Sequence, residues 1–188
     1  MFKSKTLTAV LILMFGIVGQ IGCETAAEPD SPAGYGFGHA PTDRELQRWD
    51  IDVGPTGAGL PPGQGTVSRG ATVFAAKCAS CHGLTGQDGP NDRLVGGQGT
   101  LAGRQPIKTI GSYWPYATTL FDYVRRAMPF NAPQSLTNDE VYAVVAWLLH
   151  QNGIIPADSI LDAKTLPAIH MPNRNGFVPD PRPDVSSK

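Results

Sequence analysis

The residues Cys78, Ala79, Ser80, Cys81 and His82 form the pattern C-x-x-C-H. Two thiols three residues apart, with an imidazole directly after the second, are typical of covalent haem attachment. In such a site each Cys adds to a vinyl group of the haem, and the His ligates the iron. We therefore predict one haem c, bound covalently by Cys78 and Cys81 and ligated at its iron by His82.

Two other sites use a C-x-x-C pair. A structural zinc needs four Cys or His ligands in two spaced pairs, and the only other cysteine of this chain is Cys23. A thioredoxin-like site would follow a β-strand and open a helix. Here the pair comes at the end of a helix-like segment and runs into a glycine-rich loop, so haem is the favoured interpretation.

The opposite face of the iron needs its own ligand, which decides between electron transfer and binding of small molecules. The candidates left after removal of an N-terminal export signal are Met128, Met171, His39, His150 and His170. Met128 follows a helix-like segment, and Pro129 prevents helical continuation, which leaves the Met128 side chain in a loop. Because of this position in the chain, we predict Met128 as the second axial ligand. A thioether ligand raises the reduction potential and closes the site to other ligands.

Further residues could contact the haem or its ligands. The carbonyl of Pro90 could accept a hydrogen bond from the free N–H of His82, although a Gly-Pro pair is also simply a turn. Four side chains could donate to the haem propionates, with packing or solvated surface as the alternative for each. They are Tyr113, Trp114, Arg125 and Arg126.

Helical patterns place these residues. The spacing of Gly70, Val73 and Phe74 predicts a helix from about residue 67 to 77, with a small residue at which a second helix can approach. Residues 137–140 form a capping box, apolar residues follow at i, i+3, i+4, i+7 and i+8, and Gly153 marks the end. Residues 117–126 are helix-compatible, and residues 43–49 predict a short helix whose Trp49 covers the core. The prediction is an all-α, class I cytochrome c fold with three to five helices around one haem, long ordered loops and terminal extensions.

Composition supports one domain with extensions. The chain has 188 residues with 22 Gly and 17 Pro, so ordered loops should be long and a bound haem would complete a small core. We divide the chain into an export signal (1–22), a flexible tether (23–40), an N-terminal extension (41–66), a cytochrome c domain (67–153) and a C-terminal strap or tail (154–188).

The first 22 residues carry Lys3 and Lys5 before an apolar stretch, which is typical of export to the periplasm. The residues before Cys23 resemble a lipoprotein signal, so a membrane tether through lipidated Cys23 and ordinary cleavage near Ala27 both stay open. Loss of Lys3 and Lys5 lowers the 15 basic side chains to 13, against 16 acidic ones, which gives a formal charge of −3. This charge argues against nucleic acid as a partner.

Six segments resemble one branch of the class I cytochromes c. That branch contains the cytochrome subunit of sulfane (sulfur) dehydrogenase in bacterial thiosulfate oxidation, and related cytochromes that serve sulfite-oxidase-like molybdenum enzymes. The resemblance covers roughly residues 41–182. The segments are WDIDV (49–53), DRLVGGQG (92–99), GSYWPYATTLFDY (111–123), RRAMPF (125–130), MPNR (171–174) and GFVPDP (176–181).

This resemblance implies that Cys78 and Cys81 hold the haem and that His82 and Met128 ligate it, in a single-haem form. It implies a molybdenum-cofactor dehydrogenase subunit as the partner, with no substrate chemistry on this chain. Residues 171–182 would be a strap across the domain or a partner-docking strip. Alternatives are an independent, lipid-anchored or soluble carrier to a downstream cytochrome or oxidase, and a haem sensor or enzyme in which Met128 leaves the iron open.

Overall fold

The computed structural model describes residues 37–180 and Arg182. The predicted export signal, Cys23 and most of the predicted tether lie outside the described residues. Residues from Asp43 onward form one compact unit. No helix of the described part is long and apolar enough to cross a bilayer.

Helices dominate the described part of the chain, as predicted. Five α-helices, one 3-10 helix and one small antiparallel sheet are present there. Their bounds are α1 Asp43–Trp49, β1 Gln64–Thr66, α2 Val67–Lys77, α3 Ala79–His82, α4 Ala117–Ala127, α5 Asn138–Gln151, β2 Ile160–Asp162 and the 3-10 helix Leu166–Ala168.

Helix α2 leads directly to the C-x-x-C-H pattern. Thr66 caps its start, since its hydroxyl accepts a hydrogen bond from the Arg69 amide at 3.2 Å. The buried residues lie at i, i+3, i+6 and i+7, one face of the helix: Val67, Gly70, Val73 and Phe74. The predicted helix and its apolar face are confirmed.

Helix α5 is the centre of the core. Its start is the predicted capping box, in which Thr137 and Glu140 exchange hydrogen bonds between side chain and backbone. All nine residues from 141 to 149 are buried, so the helix is covered on every side. The chain leaves it through Gly153, whose φ of 68° is left-handed, as the predicted stop requires.

Close packing joins α2 and α4 to α5. A Cβ on Gly70 would overlap the carbonyl of Ala143, so the two backbones approach closely only because Gly70 has no side chain. One turn further on, the rings of Phe74 and Trp147 stack with centroids 4.0 Å apart. From the α4 side, Phe121 contacts Tyr142, with ring centroids 4.4 Å apart. These contacts fix the end of α2, and with it the haem motif, relative to the core.

The small sheet was not predicted. Strands β1 and β2 pair antiparallel, with Gly65 opposite Leu161. Three residues are too few to show an alternating apolar pattern, and Gly65 contributes no side chain to one. Gly65 instead allows the strand to lie against the backbone of α5 at Ala143.

The short helix α1 has the predicted bounds, but the prediction that Trp49 covers the core is wrong. The Trp49 side chain is 86% exposed, and none of the residues of α1 is buried. The segment after α1 makes the contact with the core instead. Val53 is buried, and its amide donates to the Asp122 carboxylate at 2.8 Å. The chain is therefore attached to the core at Val53, after the helix has ended.

The chain beyond β2 lies across the domain. Met171 is completely buried in the core. The side-chain amide of Asn173 donates to the Tyr113 carbonyl at 2.8 Å, and the Arg174 guanidinium lies over the ring of Tyr116, 4.2 Å from its centroid. Residues 171–174 therefore form a strap on the loop that precedes α4.

Candidate haem site

The two cysteines occupy a break between helices. Cys78 caps the end of α2, and α3 then carries Cys81 and ends at His82. Neither of these cysteines forms a disulfide, and Cys78 is half-buried whereas Cys81 is exposed. Burial raises the pKa of the Cys78 thiol to about 11, although Lys77 acts in the opposite direction. Both sulfurs are thus available for thioether bonds.

The imidazole of His82 is already oriented. Its Nδ1 lies 2.8 Å from the carbonyl oxygen of Asp92. Because a carbonyl only accepts, Nδ1 is the donor in this hydrogen bond, which leaves Nε2 as the nitrogen that can bind a metal. An ordered partner on the second nitrogen is the usual arrangement around a metal-ligating His.

The carbonyl that contacts His82 belongs to Asp92, and the prediction of the Pro90 carbonyl is corrected accordingly. Pro90 is exposed. The loop is fixed one residue later, where the Asn91 amide donates to the Cys81 carbonyl at 2.9 Å. This hydrogen bond holds the loop close to the motif, and the carbonyl of the following residue, Asp92, faces the His82 ring.

A close return of the loop makes this contact possible. Gly89 lies directly against the end of α3, where a Cβ would overlap the Cys81 carbonyl and the amide of Gly83. A glycine is therefore required at position 89 for the loop to fold back under the motif. Residues 83–92 thus form a tight turn around the backbone of Cys81 and His82.

The two methionines considered as candidates for the second axial ligand have different surroundings. Met128 caps the end of α4 and is half-buried, with one side against the core. The helix ends there because Pro129 cannot continue it. Met171 has no exposed surface and lies inside the core. Of the two, only Met128 keeps part of its side chain at the surface of the domain.

The three histidines considered as candidates for the second axial ligand lie in different parts of the chain. Nδ1 of His150 contacts the carbonyl of Ile155 at 3.1 Å, which ties the ring to the loop after α5. His170 is exposed beside buried Met171, and His39 lies before the compact unit.

The four predicted propionate donors all have protein partners. Arg126 forms a bidentate pair with Asp122, with Nε 2.8 Å from Oδ1 and Nη2 on Oδ2. Arg125 donates from Nη1 to the carbonyl of Ile51 at 2.9 Å. The ring of Tyr113 contacts Phe177 and that of Trp114 contacts Tyr123. These contacts give each side chain a structural role, and binding of propionate stays a prediction.

Two buried polar residues were not identified from the sequence as structurally important. Asp122 is buried on α4, and although burial raises its pKa, the hydrogen bonds from Arg126 and the Val53 amide outweigh that effect and lower it. A buried acid four residues before Arg126 was the available signal. Asn152, directly before the helix-ending Gly153, is buried and bonded to the loop of residues 94–98. Asn at a helix end was the available signal there.

The residues at this site fit a covalent haem. The thiols of Cys78 and Cys81 would attach the haem covalently, and the His82 imidazole and the half-buried Met128 thioether are groups that could ligate its iron. Half-buried apolar side chains that pack on the core from nearby elements would contact a flat apolar group; they include Ala79, Leu94 and Trp114. No group of three or more His, Cys, Asp or Glu side chains gathers in the described part, so the four-ligand zinc alternative has no support there.

Comparison with known proteins agrees with this site. The cytochrome c family model matches residues 67–152. Among solved structures, a chain of the sulfane dehydrogenase SoxCD from Paracoccus pantotrophus is 42% identical with a TM-score of 0.73, over 82% of this chain and 79% of that chain. No curated protein matches the chain significantly. The predicted family, class I fold and haem c cofactor are thereby confirmed, and the chain belongs to the cytochrome c family.

Proposed function

We propose that this cytochrome c carries single electrons in the periplasm, with His82 and Met128 as axial ligands. We propose further that it is the electron-accepting subunit of a molybdenum-dependent dehydrogenase of sulfur compounds, which passes electrons to a downstream cytochrome or oxidase. The observation that carries this proposal is the 42% identity to a chain of a sulfane dehydrogenase over 82% of this chain.

The ligand assignment is supported by the state of the two side chains. The hydrogen bond from Nδ1 of His82 to Asp92 fixes the imidazole with Nε2 free. Met128 is placed in a loop by Pro129 and is half-buried beside the core. With both axial positions filled, a bound haem supplies reversible one-electron chemistry at a raised potential and leaves no position for a small molecule.

The extent of the likeness supports the role of a partner subunit. It reaches well outside residues 67–152, since 82% of the chain is covered. The additional length consists of segments outside the cytochrome c domain. A general electron carrier has no need of such segments, whereas a subunit with a permanent partner has a surface to match. Export, and lipidation at Cys23, belong to the same proposal, since covalent haem attachment is completed outside the cytoplasm.

Carbon monoxide uptake tests the ligand assignment. Ferrous wild-type protein should resist carbon monoxide, and Met128→Ala should take it up readily because an axial position opens. Met171→Leu is the matched control, since it removes the other described methionine at nearly constant volume and should keep the resistance. Resistance in Met128→Ala would contradict the assignment. Uptake by the wild type would favour the alternative of a ligand-binding sensor or enzyme.

Isolation from the native host tests the partner and the compartment. A tagged chain purified from the periplasmic fraction under mild conditions should bring down a molybdenum-containing protein and accept electrons from it when a sulfur compound is supplied. A chain that is recovered alone, but is still reduced and reoxidised by other cytochromes, would indicate an independent carrier. Mass spectrometry of the same material would show whether the mature chain begins at lipidated Cys23.

A further inference from the structure

We propose that Asn152 is a positioning residue for the axial ligand, acting through the loop that carries the Asp92 carbonyl. This inference rests on the assignment of His82 in the proposed function. Asn152 caps α5 and is 8% exposed. It forms hydrogen bonds to residues 94–98, which follow Asp92 in the same loop. We call Asn152 and its bonds to this loop the α5 clamp.

The α5 clamp binds every second residue of the loop from Leu94 to Gln98. The side-chain Nδ2 of Asn152 donates to the Leu94 carbonyl at 3.2 Å, and Oδ1 accepts from the Gly96 amide at 3.0 Å. The backbone carbonyl of Asn152 accepts from Nε2 of Gln98 at 2.8 Å. The same Nδ2 donates to the Leu148 carbonyl at 2.8 Å, which ties the side chain to its own helix. The loop is thus attached to the most deeply buried helix of the domain.

The backbone at Gly111 also packs closely against the α5 clamp. Gly111 lies against it, and a Cβ there would be 2.5 Å from Nε2 of Gln98 and 2.7 Å from Cγ of Asn152. Such distances are well below van der Waals contact, so Gly111 provides the space that the two side chains need. The Ile110 amide next to it also donates to the Leu94 carbonyl, at 3.2 Å.

Two anchors bracket Asp92, and the α5 clamp sets one of them. On the motif side, the Asn91 amide donates to the Cys81 carbonyl at 2.9 Å. On the other side, Leu94 is held by its amide on the Gly86 carbonyl at 2.8 Å and by its own carbonyl on Asn152. Asp92 lies between these anchors, so its carbonyl has little freedom to move away from Nδ1 of His82.

The strength of the bond from Nδ1 to the Asp92 carbonyl affects the ligand itself. A good acceptor at Nδ1 increases the basicity of Nε2 and fixes the plane of the ring. A more basic imidazole favours the oxidised iron, so a weaker bond should raise the reduction potential. Asn152 thereby acts on the redox centre from the end of α5 without touching it.

The test compares the two ends of α5. Asn152→Ala should raise the midpoint potential and shift the proton resonance of Nδ1–H of His82, with faster exchange of that proton. Thr137→Ala is the matched control, because it removes the cap at the other end of the same helix. It should destabilise the protein while leaving the potential and the resonance at their wild-type values.

A milder variant keeps the inference testable if Asn152→Ala fails to fold. Gln98→Ala removes one bond of the clamp from an exposed side chain and should shift both readouts in the same direction by less. Wild-type potential and resonance in folded Asn152 or Gln98 variants, or an equal shift in Thr137→Ala, would overturn the inference while His82 remained the ligand. A wild-type protein without a haem ligated by His82 would contradict the proposed function, and this inference with it.

Discussion

The two regions that meet at the haem site are held together by different forces. The helical scaffold, which we define as α2, α4 and α5, is joined by apolar contacts such as the stacked rings of Phe74 and Trp147. The polar loop, residues 83–116, is held mostly by hydrogen bonds to its backbone. Thr109, Ser112 and Asn152 supply many of them, and all three are buried.

The difference follows from where each backbone finds its hydrogen-bond partners. A helix satisfies its own amides and carbonyls, so its side chains are left to pack. A buried loop has no such internal pattern and needs side chains for its backbone groups. In the described part of the chain, every buried side-chain nitrogen and oxygen has a partner. The group that contacts the His82 ring is a loop carbonyl, so we expect the polar network of the loop to affect the orientation of that ring and the scaffold to contribute most of the global stability.

The largest expected effect comes from filling the closest contact of the scaffold. In Gly70→Val, the added side chain would overlap the Ala143 carbonyl and lie within 2.7 Å of Cβ of Trp147. We expect a loss of about 3 kcal/mol in the free energy of unfolding, because α2 must move away from α5. Urea unfolding followed by far-UV circular dichroism measures it.

Gly54→Ala is the control, because its Cβ would meet nothing within 4 Å and its φ is not in the left-handed region. It should change the free energy of unfolding by less than about 1 kcal/mol. Equal stability of the Gly70 and Gly54 variants would show that α2 and α5 can separate without cost, contrary to the comparison.

A second prediction concerns the polar loop. The hydroxyl of Thr109 donates to the Gly96 carbonyl and accepts from the Ser112 amide at 3.2 Å. Thr109→Val keeps the shape of the side chain and removes both bonds, at a cost of about 1 to 3 kcal/mol for the unpaired groups. Amide hydrogen exchange should become faster in residues 94–112 and change little in α2 and α5.

Thr72→Val, on the exposed face of α2, is the matched control and should leave exchange in the loop unchanged. Uniform acceleration across loop and helices in Thr109→Val would contradict the division into two separately stabilised regions.

The same division explains what could be predicted from sequence. The bounds of α2, and those of α4 to within one residue, followed from apolar spacing, and α5 followed from its capping box and Gly153. Each of these signals is local, because a helix satisfies its backbone within a few residues. The haem-attachment motif of Cys78, Cys81 and His82 could likewise be predicted, because it lies within five consecutive residues.

The loop contacts could not be predicted in this way. The Asp92 carbonyl has no side-chain signature, and the loop that carries it is bonded to Asn152, which is 60 residues away from Asp92 in the chain. Strands β1 and β2 are three residues each, too short for a pattern. Trp49 was misassigned because size and apolarity favour burial on average, whereas the buried residue of that region is the smaller Val53.

A third prediction uses pH to test the cap of the scaffold. Hydrogen bonds from Lys77 and from the Thr137 backbone lower the pKa of Glu140 below its ordinary value of 4.5. Since the folded-state pKa is the lower one, this stabilisation is present above pH 4.5 and is lost as the pH falls through the lowered pKa. Glu140→Gln should cost about 1 kcal/mol at pH 7 and much less at pH 3.

Unfolding midpoints in urea at the two pH values measure this difference. Asp158→Asn, at an exposed acid in the loop after α5, is the control for removal of a surface carboxylate outside the cap. A Glu140→Gln deficit that is equally large at both pH values would mean that the ionised carboxylate does not act through these bonds.

The smallest expected effect concerns the surface outside both regions. Trp49 is 86% exposed and Trp147 is 7% exposed, so the same substitution at each reports how much of the indole is packed. Trp147→Ala removes the ring that stacks on Phe74 and is the positive control, since it should cost several times as much as Trp49→Ala. Trp49→Ala should change the free energy of unfolding of the isolated chain by less than about 0.5 kcal/mol. A cost above about 1.5 kcal/mol for Trp49→Ala would place its ring against the domain in solution, and the core would then extend to α1.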